Sequence, residues 1–378
     1  MAAPPPQSQP PVLMDELVEE IVLRLLSDNP AQLVRAALVY KCWCRLVMDP
    51  GFRRQFCQFH RTPPMLGLIV RRRSPATTTR FLPTSSFYPY DASCLTWSPL
   101  DARHGRILFY YKPARSNPAR NELNVLTPAT GVVHKLPKLW LPCSLCAYWN
   151  AALLCGTPGC NHMECPSDGP FTLHSGFEAD EWSQPASIED PRYVELHCTY
   201  SALVGNALYF RPRWNNGILE YDLDKKELSL IGLPPICKVS TVLVLMSVED
   251  DALGFAMVHD DFSLCIWLRE SAPTPSGGLT WTRHRVVDLK SFLPVSALSS
   301  SPYIVAAADV AGVFVIRAGR DDGVLAIDLK SGQVKKVSDA DGHIVNIIPY
   351  ISFCTPGLPV FHLLVACMDM ENDIFVQE

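Results

Sequence analysis

The chain has little that would hold it in a membrane or send it out of the cell. None of its apolar runs reaches the ~18 residues that a membrane span requires, and the nearest, residues 239–248, is followed by an acidic turn. The first eleven residues, MAAPPPQSQPP, lack the basic start and apolar core of a secretory signal. We therefore expect no membrane contact and a location in the cytoplasm and/or nucleus, where the 14 cysteines are reduced thiols.

The charge pattern of a nucleic-acid-binding protein is also missing. Lysine and arginine number 33 against 38 acidic residues, which gives a formal net charge of −5. The one basic run, residues 71–73, has no aromatic residues interleaved with it, so we interpret it as a solvated strand end or turn. No nucleic-acid partner is expected.

The motifs of common catalytic sites are absent as well. The sequence contains no G-x-x-x-x-G-K-[ST], G-x-S-x-G, G-x-G-x-x-G or H-E-x-x-H pattern. His104, His259 and His284 fall in or beside strand-like segments without a nucleophile at a fixed spacing, so each is interpreted as a surface or packed histidine. We expect no catalytic residues.

What the chain does have is a helical pattern in residues 12–56. Apolar residues recur at the i, i+1, i+4, i+5 spacing of one helix face, at Leu17, Val18, Ile21, Val22, Leu25 and Leu26. Asn29 followed by Pro30 predicts the start of a second helix. From periodicity alone, an ordinary helical subdomain with its own core is the simpler interpretation.

Four motifs at fixed spacings make this segment more specific. They are Leu-Met-Asp-Glu-Leu at 13–17, Ile-Val-Leu-Arg-Leu at 21–25, the stretch 33–43, which ends in Val-Tyr-Lys-Cys-Trp, and Asp-Pro-Gly-Phe at 49–52. Together they resemble the F-box, with its L-P-x-E-L opening, I-L-x-R-L helix, V-C-K-x-W core and D-P-x-F close. Met14 and Leu26 stand where the F-box usually has proline, and Tyr40 replaces its cysteine. Loss of the first proline removes a rigid contact and predicts weaker partner binding than in typical members.

The resemblance implies a partner. F-box segments bind the Skp-type adaptor of SCF ubiquitin ligases, and through it a cullin, by presenting helical apolar residues to a hydrophobic groove. By position, the adaptor-binding role falls on Leu13, Leu17, Ile21, Leu25, Leu33, Leu38, Val39 and Trp43. Some of these residues must instead pack internally, and the sequence does not divide them. A helical unit of this size is marginally stable alone, so burying spare apolar surface on a partner would stabilise it.

After residue 60 the pattern changes to short apolar runs between Gly, Pro, Asp and Asn turns, which is typical of many short strands. Gly-Arg-Ile-Leu-Phe-Tyr at 105–110 is similar to Gly-Asn-Ala-Leu-Tyr-Phe at 205–210, and an intermediate unit opens near residue 150. Strand–turn–strand units begin at Leu123, Leu219 and Leu325. A period of ~50 residues predicts a β-propeller of about six kelch-like blades. A pair of irregular β-sandwiches or a barrel is the alternative.

This part of the chain also resembles the plant F-box proteins whose C-terminal region is a β-propeller-like substrate-binding domain; the link His-Arg-Thr-Pro-Pro-Met-Leu-Gly at 60–67 is like theirs. The expected fold is therefore an α+β multidomain protein, with a small helical F-box followed by a large all-β domain. The expected domains are a disordered proline-rich lead at 1–11, an F-box at 12–60 and a β-propeller-like substrate-recognition domain at 61–378.

A cysteine cluster at 143–165 raises the question of zinc. Cys143 and Cys146 form a C-x-x-C half-site, and Cys155, Cys160, His162 and Cys165 follow. The second half has no clean C-x-x-C or H-x-H pair, and free cysteine is often a small core residue. We therefore favour no metal and no cofactor.

Tryptophan and arginine in presumed propeller loops suggest where a target could bind. Arg211, Arg213 and Trp214 form the preferred candidate for target binding, since Trp and Arg are favoured interface anchors. Trp149 lies in another presumed turn, whereas Trp182 and Trp281 are interpreted as core residues. The sequence thus predicts a non-catalytic substrate receptor that binds an unidentified protein target. The alternatives are an F-box scaffold acting outside a ligase, and a β-propeller enzyme acting on a sugar or small metabolite.

Overall fold

A computed structural model gives the fold of the chain. It describes residues 15–73, 77–88, 96–111, 122–136, 151–155, 171–174, 201–212, 217–238, 240–248, 252–271, 279–299, 301–318, 323–338 and 343–353. The predicted proline-rich lead at 1–11 lies outside these residues. None of the helices in these ranges is long and apolar enough to span a membrane.

Four short helices form a helical unit at residues 15–60. They are α1 (Asp15–Leu23), α2 (Pro30–Val39), α3 (Lys41–Met48) and α4 (Pro50–His60). The start of α4 follows from its sequence, because Asp49 accepts a hydrogen bond from the Phe52 N–H at 3.0 Å and Pro50 needs no N–H partner. Arg61, with a φ of 59°, ends α4 and turns the chain toward the first strand.

The core of the helical unit is small and mostly its own. Its buried residues are Val18, Val22, Leu33, Ala37, Cys44, Val47, Phe52 and Phe56. Phe353, which follows the last strand, packs on the same cluster, with 6.3 Å between its ring centroid and that of Phe56. Asn29 and Ser86 add a side-chain hydrogen bond of 2.6 Å, so the unit contacts the β region at two points.

The rest of the described chain is a ring of antiparallel sheets. The strands in the first half are β1 (Met65–Arg73), β2 (Thr77–Pro83), β3 (Ser98–Arg103), β4 (Arg106–Tyr111), β5 (Glu122–Thr127), β6 (Val132–Lys135), β7 (Ala152–Cys155), β8 (Phe171–His174), β9 (Ala202–Val204) and β10 (Ala207–Phe210). Those in the second half are β11 (Gly217–Asp222), β12 (Glu227–Gly232), β13 (Leu243–Val248), β14 (Ala252–Val258), β15 (Ser263–Ser271), β16 (Leu279–Asp288), β17 (Tyr303–Ala308), β18 (Val313–Arg317), β19 (Val324–Asp328), β20 (Val334–Ser338) and β21 (His343–Ile351).

The sheets are the blades of a β-propeller. Four have four strands in sequence order, β3–β6, β9–β12, β13–β16 and β17–β20, and a fifth has the order β2-β1-β21. Apolar clusters between successive sheets join them into a ring. The number of blades with three or four strands is thus five, which differs from the prediction of about six. The sixth position holds only the two-stranded sheet β7–β8 within the described residues.

The two ends of the β region close the ring. β1 pairs antiparallel with both β2 and β21, so one blade combines strands from the start and the end of this region. In the other blades each strand pairs with its neighbour in sequence, as expected for a propeller. The helical unit precedes β1 directly, and Phe353 follows β21, so the unit sits at this closing blade.

The repeated glycine motif marks the turn after the innermost strand of a blade. Gly105 (φ 70°) follows β3 and Gly205 (φ 54°) follows β9, and this left-handed conformation favours glycine. The predicted intermediate unit near residue 150 corresponds to β7. The similarity between 105–110 and 205–210 therefore reflects equivalent positions two sheets apart.

A buried carboxylate connects neighbouring blades. Asp101 in β3 accepts hydrogen bonds from Arg103 Nη1 (2.7 Å) and from the Leu153 N–H in β7 (2.8 Å). Arg103 also donates to the Ser201 hydroxyl beside β9 at 3.0 Å. Burial raises the pKa of Asp101, against the lowering effects of Arg103 and the Leu153 N–H. This charged group replaces apolar packing where three successive sheets meet.

Candidate interaction surface of the helical unit

Helix α1 has one buried face and one open face. Val18 and Val22 point into the core of the unit with exposures of 3% and 0%, whereas Leu17 and Ile21 keep 43% and 48% of their surface exposed. The i, i+4 spacing of each pair explains the division, because residues four apart share a helix face. An apolar stripe therefore remains on the surface of α1.

The structure divides the eight predicted adaptor-binding residues. Leu17, Ile21 and Val39 are exposed, the last by 53%. Leu25 and Trp43 are half-buried against the core cluster, and Leu38 is half-buried as well. Leu33, by contrast, is 1% exposed and belongs to the core, because the buried face of α2 carries it together with Ala37. Leu13 lies outside the described residues.

Three further apolar residues of the unit are open and were not among the predicted site residues. Leu26 is 57% exposed, Tyr40 58% and Phe59 54%. Leu26 and Tyr40 occupy positions where the F-box motif usually has proline and cysteine, so the departures from the motif add apolar surface. Tyr40 lies 5.9 Å from Trp43 between ring centroids. Leu26 and Tyr40 lie in the connections that follow α1 and α2, and this position in the sequence could have predicted their exposure.

Phe59 belongs to a groove between α1 and α4. The groove has a volume of about 450 Å³ and is lined by Glu16, Glu19, Glu20, Leu23, Gln55, Gln58 and Phe59. Its acidic side comes from the first turns of α1, where the helix dipole favours carboxylates. Glu20 pairs with Arg24 at 2.6 Å on the exposed surface. Next to Phe59, at the C-terminal end of α4, His60 Nε2 lies 3.0 Å from the Leu23 carbonyl oxygen and holds the two helices together.

The three predicted target-binding residues do not form an exposed surface within the described part of the chain. Arg211, a predicted target contact, is only 7% exposed, and its Nη1 donates to the Gly217 carbonyl at 2.8 Å, so its guanidinium is bonded within its own blade. Arg211 lies directly after β10, and its guanidinium bonds to the first residue of β11; burial lowers the pKa of Arg211. Arg213 and Trp214 lie outside the described residues.

Trp281 has the packing role that the sequence suggested. It is half-buried in the cluster between the blades β9–β12 and β13–β16, and its indole donates to the Gly232 carbonyl at 2.8 Å. Trp149 and Trp182 lie outside the described residues. Trp281 therefore connects two blades and is not an open anchor.

The described cysteines and histidines form no metal site. No group of three or more potential metal-binding side chains occurs within the described residues. Of the 143–165 cluster, only the backbone of Cys155 in β7 is described, so the zinc question lies outside these residues. Burial raises the pKa of the thiols of Cys44, Cys237 and Cys265, which keeps these cysteines protonated.

These observations define a class of protein: a β-propeller whose closing blade carries a helical unit with an open apolar face. The model of the F-box protein AT5G49610-like β-propeller family matches residues 100–358. This span is more than half of the chain, and the chain belongs to that family. No curated protein matches the chain.

Two solved structures illustrate the remaining similarity. One is a protein of unknown function from Bacteroides caccae, with 13% identity and a TM-score of 0.40 over 76% of this chain and 99% of that one. The other is a protein from Lactobacillus plantarum, with 12% identity and a TM-score of 0.37 over 74% of this chain and 98% of that one. At such TM-scores they add nothing to the assignment of fold or function.

Proposed function

We propose that the protein is the substrate-recognition subunit of an SCF-type cullin-RING ubiquitin ligase. The helical unit would be an F-box, spanning residues 12–60, that binds the Skp-type adaptor and through it the cullin. The propeller would bind a protein target. The protein would work in the cytoplasm and/or nucleus and would catalyse nothing itself, since ubiquitin transfer belongs to other subunits. Its contribution is to raise the local concentration of the target near the ligase.

The observation that carries this proposal is the open apolar face of the helical unit. Leu17 and Ile21 lie on one face of α1 and keep nearly half of their surface exposed, although their chain neighbours Val18 and Val22 are buried. Among the described residues, the propeller contacts the unit through Phe353 and Ser86, and Leu17 and Ile21 remain partly exposed. An apolar helix face that is about half exposed within the described part of the chain is suited to a partner's hydrophobic groove. The F-box motif and the family of the propeller support the same partner.

Leu26 and Tyr40 bear on how tightly that partner binds. Met14, in place of the first F-box proline, removes a rigid contact and predicts weaker adaptor binding. Leu26 and Tyr40, however, expose further apolar side chains on the helical unit. We expect their burial on the adaptor to offset part of the loss.

The test is adaptor binding by the full chain with Leu17→Asp/Ile21→Asp. Placing two carboxylates on the proposed contact should weaken binding of the purified Skp-type adaptor by at least about 100-fold, because two buried apolar side chains are lost. Both residues are exposed in the free protein, so the thermal unfolding midpoint should change little. The matched control is Val295→Asp/Val310→Asp, which places the same charges on propeller residues that are 86% and 47% exposed.

Equal adaptor binding by the wild type and by Leu17→Asp/Ile21→Asp would contradict the proposal. Capture from a plant extract extends the test to the complete ligase. Recovery of adaptor together with cullin supports the ligase, whereas adaptor without cullin supports a scaffold that acts outside it. Proteins captured equally by the wild type and the double variant are candidates for the target.

A further inference from the structure

The propeller has a long open strand edge at the rim of the blade β13–β16. β16 is the outermost strand of this sheet, and no other strand pairs with its outer edge within the described residues. Its ten residues span about 33 Å at ~3.3 Å per residue. The outer strands of the other four-stranded blades, β6, β12 and β20, have 4, 6 and 5 residues. The rim of this blade therefore offers the longest row of backbone N–H and C=O groups.

The edge carries two arginines that no described residue engages in an ion pair. Arg283 and Arg285 are both exposed in the middle of β16. The ion pairs of the described residues involve Glu20, Asp101 and Asp222, and none includes Arg283 or Arg285. Exposed apolar residues, Leu279 at 56% and Val286 at 50%, lie along the same strand. The combination of basic and apolar side chains on an open strand is a pattern that an extended acidic chain would complement.

A bulge sets the two arginines on opposite faces of the sheet. Arg283 stands opposite Trp267 and Arg285 opposite Ile266, so one extra residue of β16 falls between them. Trp267 packs on the cluster shared with the blade β9–β12, whereas Ile266 packs on the cluster shared with the blade β17–β20. Cross-strand partners share a face of the sheet. Arg283 therefore lies on the face toward the blade β9–β12, and Arg285 on the face toward the blade β17–β20.

We propose that the open edge of β16 binds an extended acidic segment of a partner protein by strand addition. The added strand would exchange backbone hydrogen bonds with β16, which gives binding independent of side-chain sequence. Arg283 and Arg285 would then select two consecutive acidic residues, because neighbouring residues of a strand point to opposite faces. The inner neighbour β15 already shows this spacing, because Ile266 and Trp267, which stand opposite Arg285 and Arg283, are consecutive residues.

The competing explanation is that the arginines only protect the edge from unwanted pairing, as charged residues on edge strands often do. On the edge strand β20, by contrast, the lysine side chain bonds within its own chain: Lys335 Nζ donates to the Thr84 carbonyl at 2.8 Å. Arg283 and Arg285 have no such hydrogen bond within the described residues, and apolar side chains flank them. Protection alone predicts no preference for acidic peptides, so the two explanations differ in a measurable outcome.

The surface belongs to the propeller, and its binding activity does not depend on adaptor binding. Where the proposed function holds, the acidic segment is part of the ligase target. A failure of acidic-peptide binding would leave adaptor capture intact, and loss of adaptor binding in Leu17→Asp/Ile21→Asp would leave peptide binding intact. The two proposals are therefore tested separately.

The experiment selects random decapeptides from a display library on the immobilised full chain, in parallel with the variant Arg283→Glu/Arg285→Glu. Wild-type protein should enrich peptides with two consecutive Asp or Glu residues between β-branched residues, and the charge-reversed variant should not. An enriched peptide, made synthetically, should bind the variant at least about tenfold more weakly, since two exposed charge pairs are reversed. Its affinity should fall with added salt.

Two controls identify the edge itself. Arg35→Glu/Arg80→Glu changes the net charge equally at exposed positions away from β16 and should bind the peptide as the wild type does. N-methylation of alternate peptide bonds, in the register that faces β16, should abolish binding, because it removes the donors of strand addition. Enrichment of no acidic pattern, equal binding to Arg283→Glu/Arg285→Glu, or full binding by the peptides N-methylated in either register would overturn the proposal.

Discussion

The helical unit and the propeller handle apolar surface in opposite ways. The unit buries eight residues in its core yet leaves Leu17, Ile21, Leu26, Val39, Tyr40 and Phe59 open. The propeller is several times longer, and its described part exposes only about twice as many large apolar side chains. Each of its sheets packs on two neighbours, so both faces of a blade are covered. In a ring, each blade covers the apolar faces of its neighbours. A four-helix unit of this size carries more apolar surface than its small core can bury. The unit is thus the part of the chain that gains most from a partner.

The largest expected effect comes from Phe56→Ala. Phe56 is 1% exposed and contacts Phe52, His60 and Phe353, so its truncation should cost about 3–5 kcal/mol. This is comparable to the whole stability of so small a unit, which should unfold while the ring persists. Limited proteolysis should then cut within residues 15–60 and leave the propeller intact.

The matched change in the ring is Phe255→Ala, at a residue with 0% exposure that stacks on Trp267. A similar loss there should lower the midpoint of the ring without making one blade selectively sensitive to protease. Simultaneous digestion of the helices and the ring in Phe56→Ala would contradict the contrast drawn here.

Asp101→Ala tests whether the ring depends on a polar junction as well as on apolar packing. The change leaves Arg103 without its carboxylate and the Leu153 N–H without its acceptor, and it should cost about 3 kcal/mol or more in urea unfolding. The comparison is Asp222→Ala, which removes an exposed pair with Lys225 and the hydrogen bonds from the Asp224 and Lys225 N–H groups, and should cost only about 1 kcal/mol. Equal effects of the two changes would show that the junction is no more important than a surface ion pair.

Gly254→Ala and Gly232→Ala sharpen the comparison within the ring. A methyl group at Gly254 would lie 2.2 Å from Val248 Cγ2 and 2.7 Å from the Trp267 carbonyl oxygen, whereas nothing lies within 4 Å at Gly232. Overpacking at Gly254 should cost about 1–3 kcal/mol, and the same methyl at Gly232 should cost far less. Thermal unfolding of both variants measures the difference, and equal midpoints would show that the blade centre tolerates extra volume.

The smallest effect is expected at the turn between β19 and β20. Asp328 accepts from the Ser331 hydroxyl at 2.6 Å and from the Lys330 N–H at 2.8 Å. Partial burial alone would raise the pKa of Asp328, but these hydrogen bonds outweigh it and lower the pKa below the ordinary value. The carboxylate therefore stabilises the fold above pH ~4, and this contribution is lost as the pH falls through the lowered pKa.

Asp328→Asn should accordingly lower the unfolding free energy by about 0.5–1 kcal/mol at pH 7. The difference from the wild type should shrink when urea unfolding is repeated near pH 3. A difference that grows on acidification would show that the ionised Asp328 carboxylate does not stabilise the fold.

Local signals were enough to predict the helices and the propeller. Asn29-Pro30 and Asp49-Pro50 mark the starts of α2 and α4, and the spaced glycine motifs mark equivalent blade turns. The pairing of β1 with β21 was beyond such signals, because it joins residues nearly 290 positions apart. The prediction of about six blades came from a repeat period of ~50 residues. At the sixth position, however, the described residues form only the two-stranded sheet β7–β8.

The site was predicted less completely than the fold. Periodicity found the apolar faces of α1 and α2, but it could not tell which face the other helices would cover; Leu33 proved to be core and Ile21 open. Arg211 looked like a loop residue because it follows a strand, yet its guanidinium is recruited to a backbone carbonyl. Burial of this kind depends on partners that are close only in the folded chain.

The closing blade imposes an order on synthesis. β1 leaves the ribosome early, but its partner β21 follows about 280 residues later, which is a wait of roughly 15–60 s at ~5–20 residues per second. During that interval all four helices have already been made, although Phe353, which packs on their core, has not, and one side of β1 stays without its neighbour. A nascent chain would therefore be able to engage a partner through its helices before it has a finished ring with which to hold anything else.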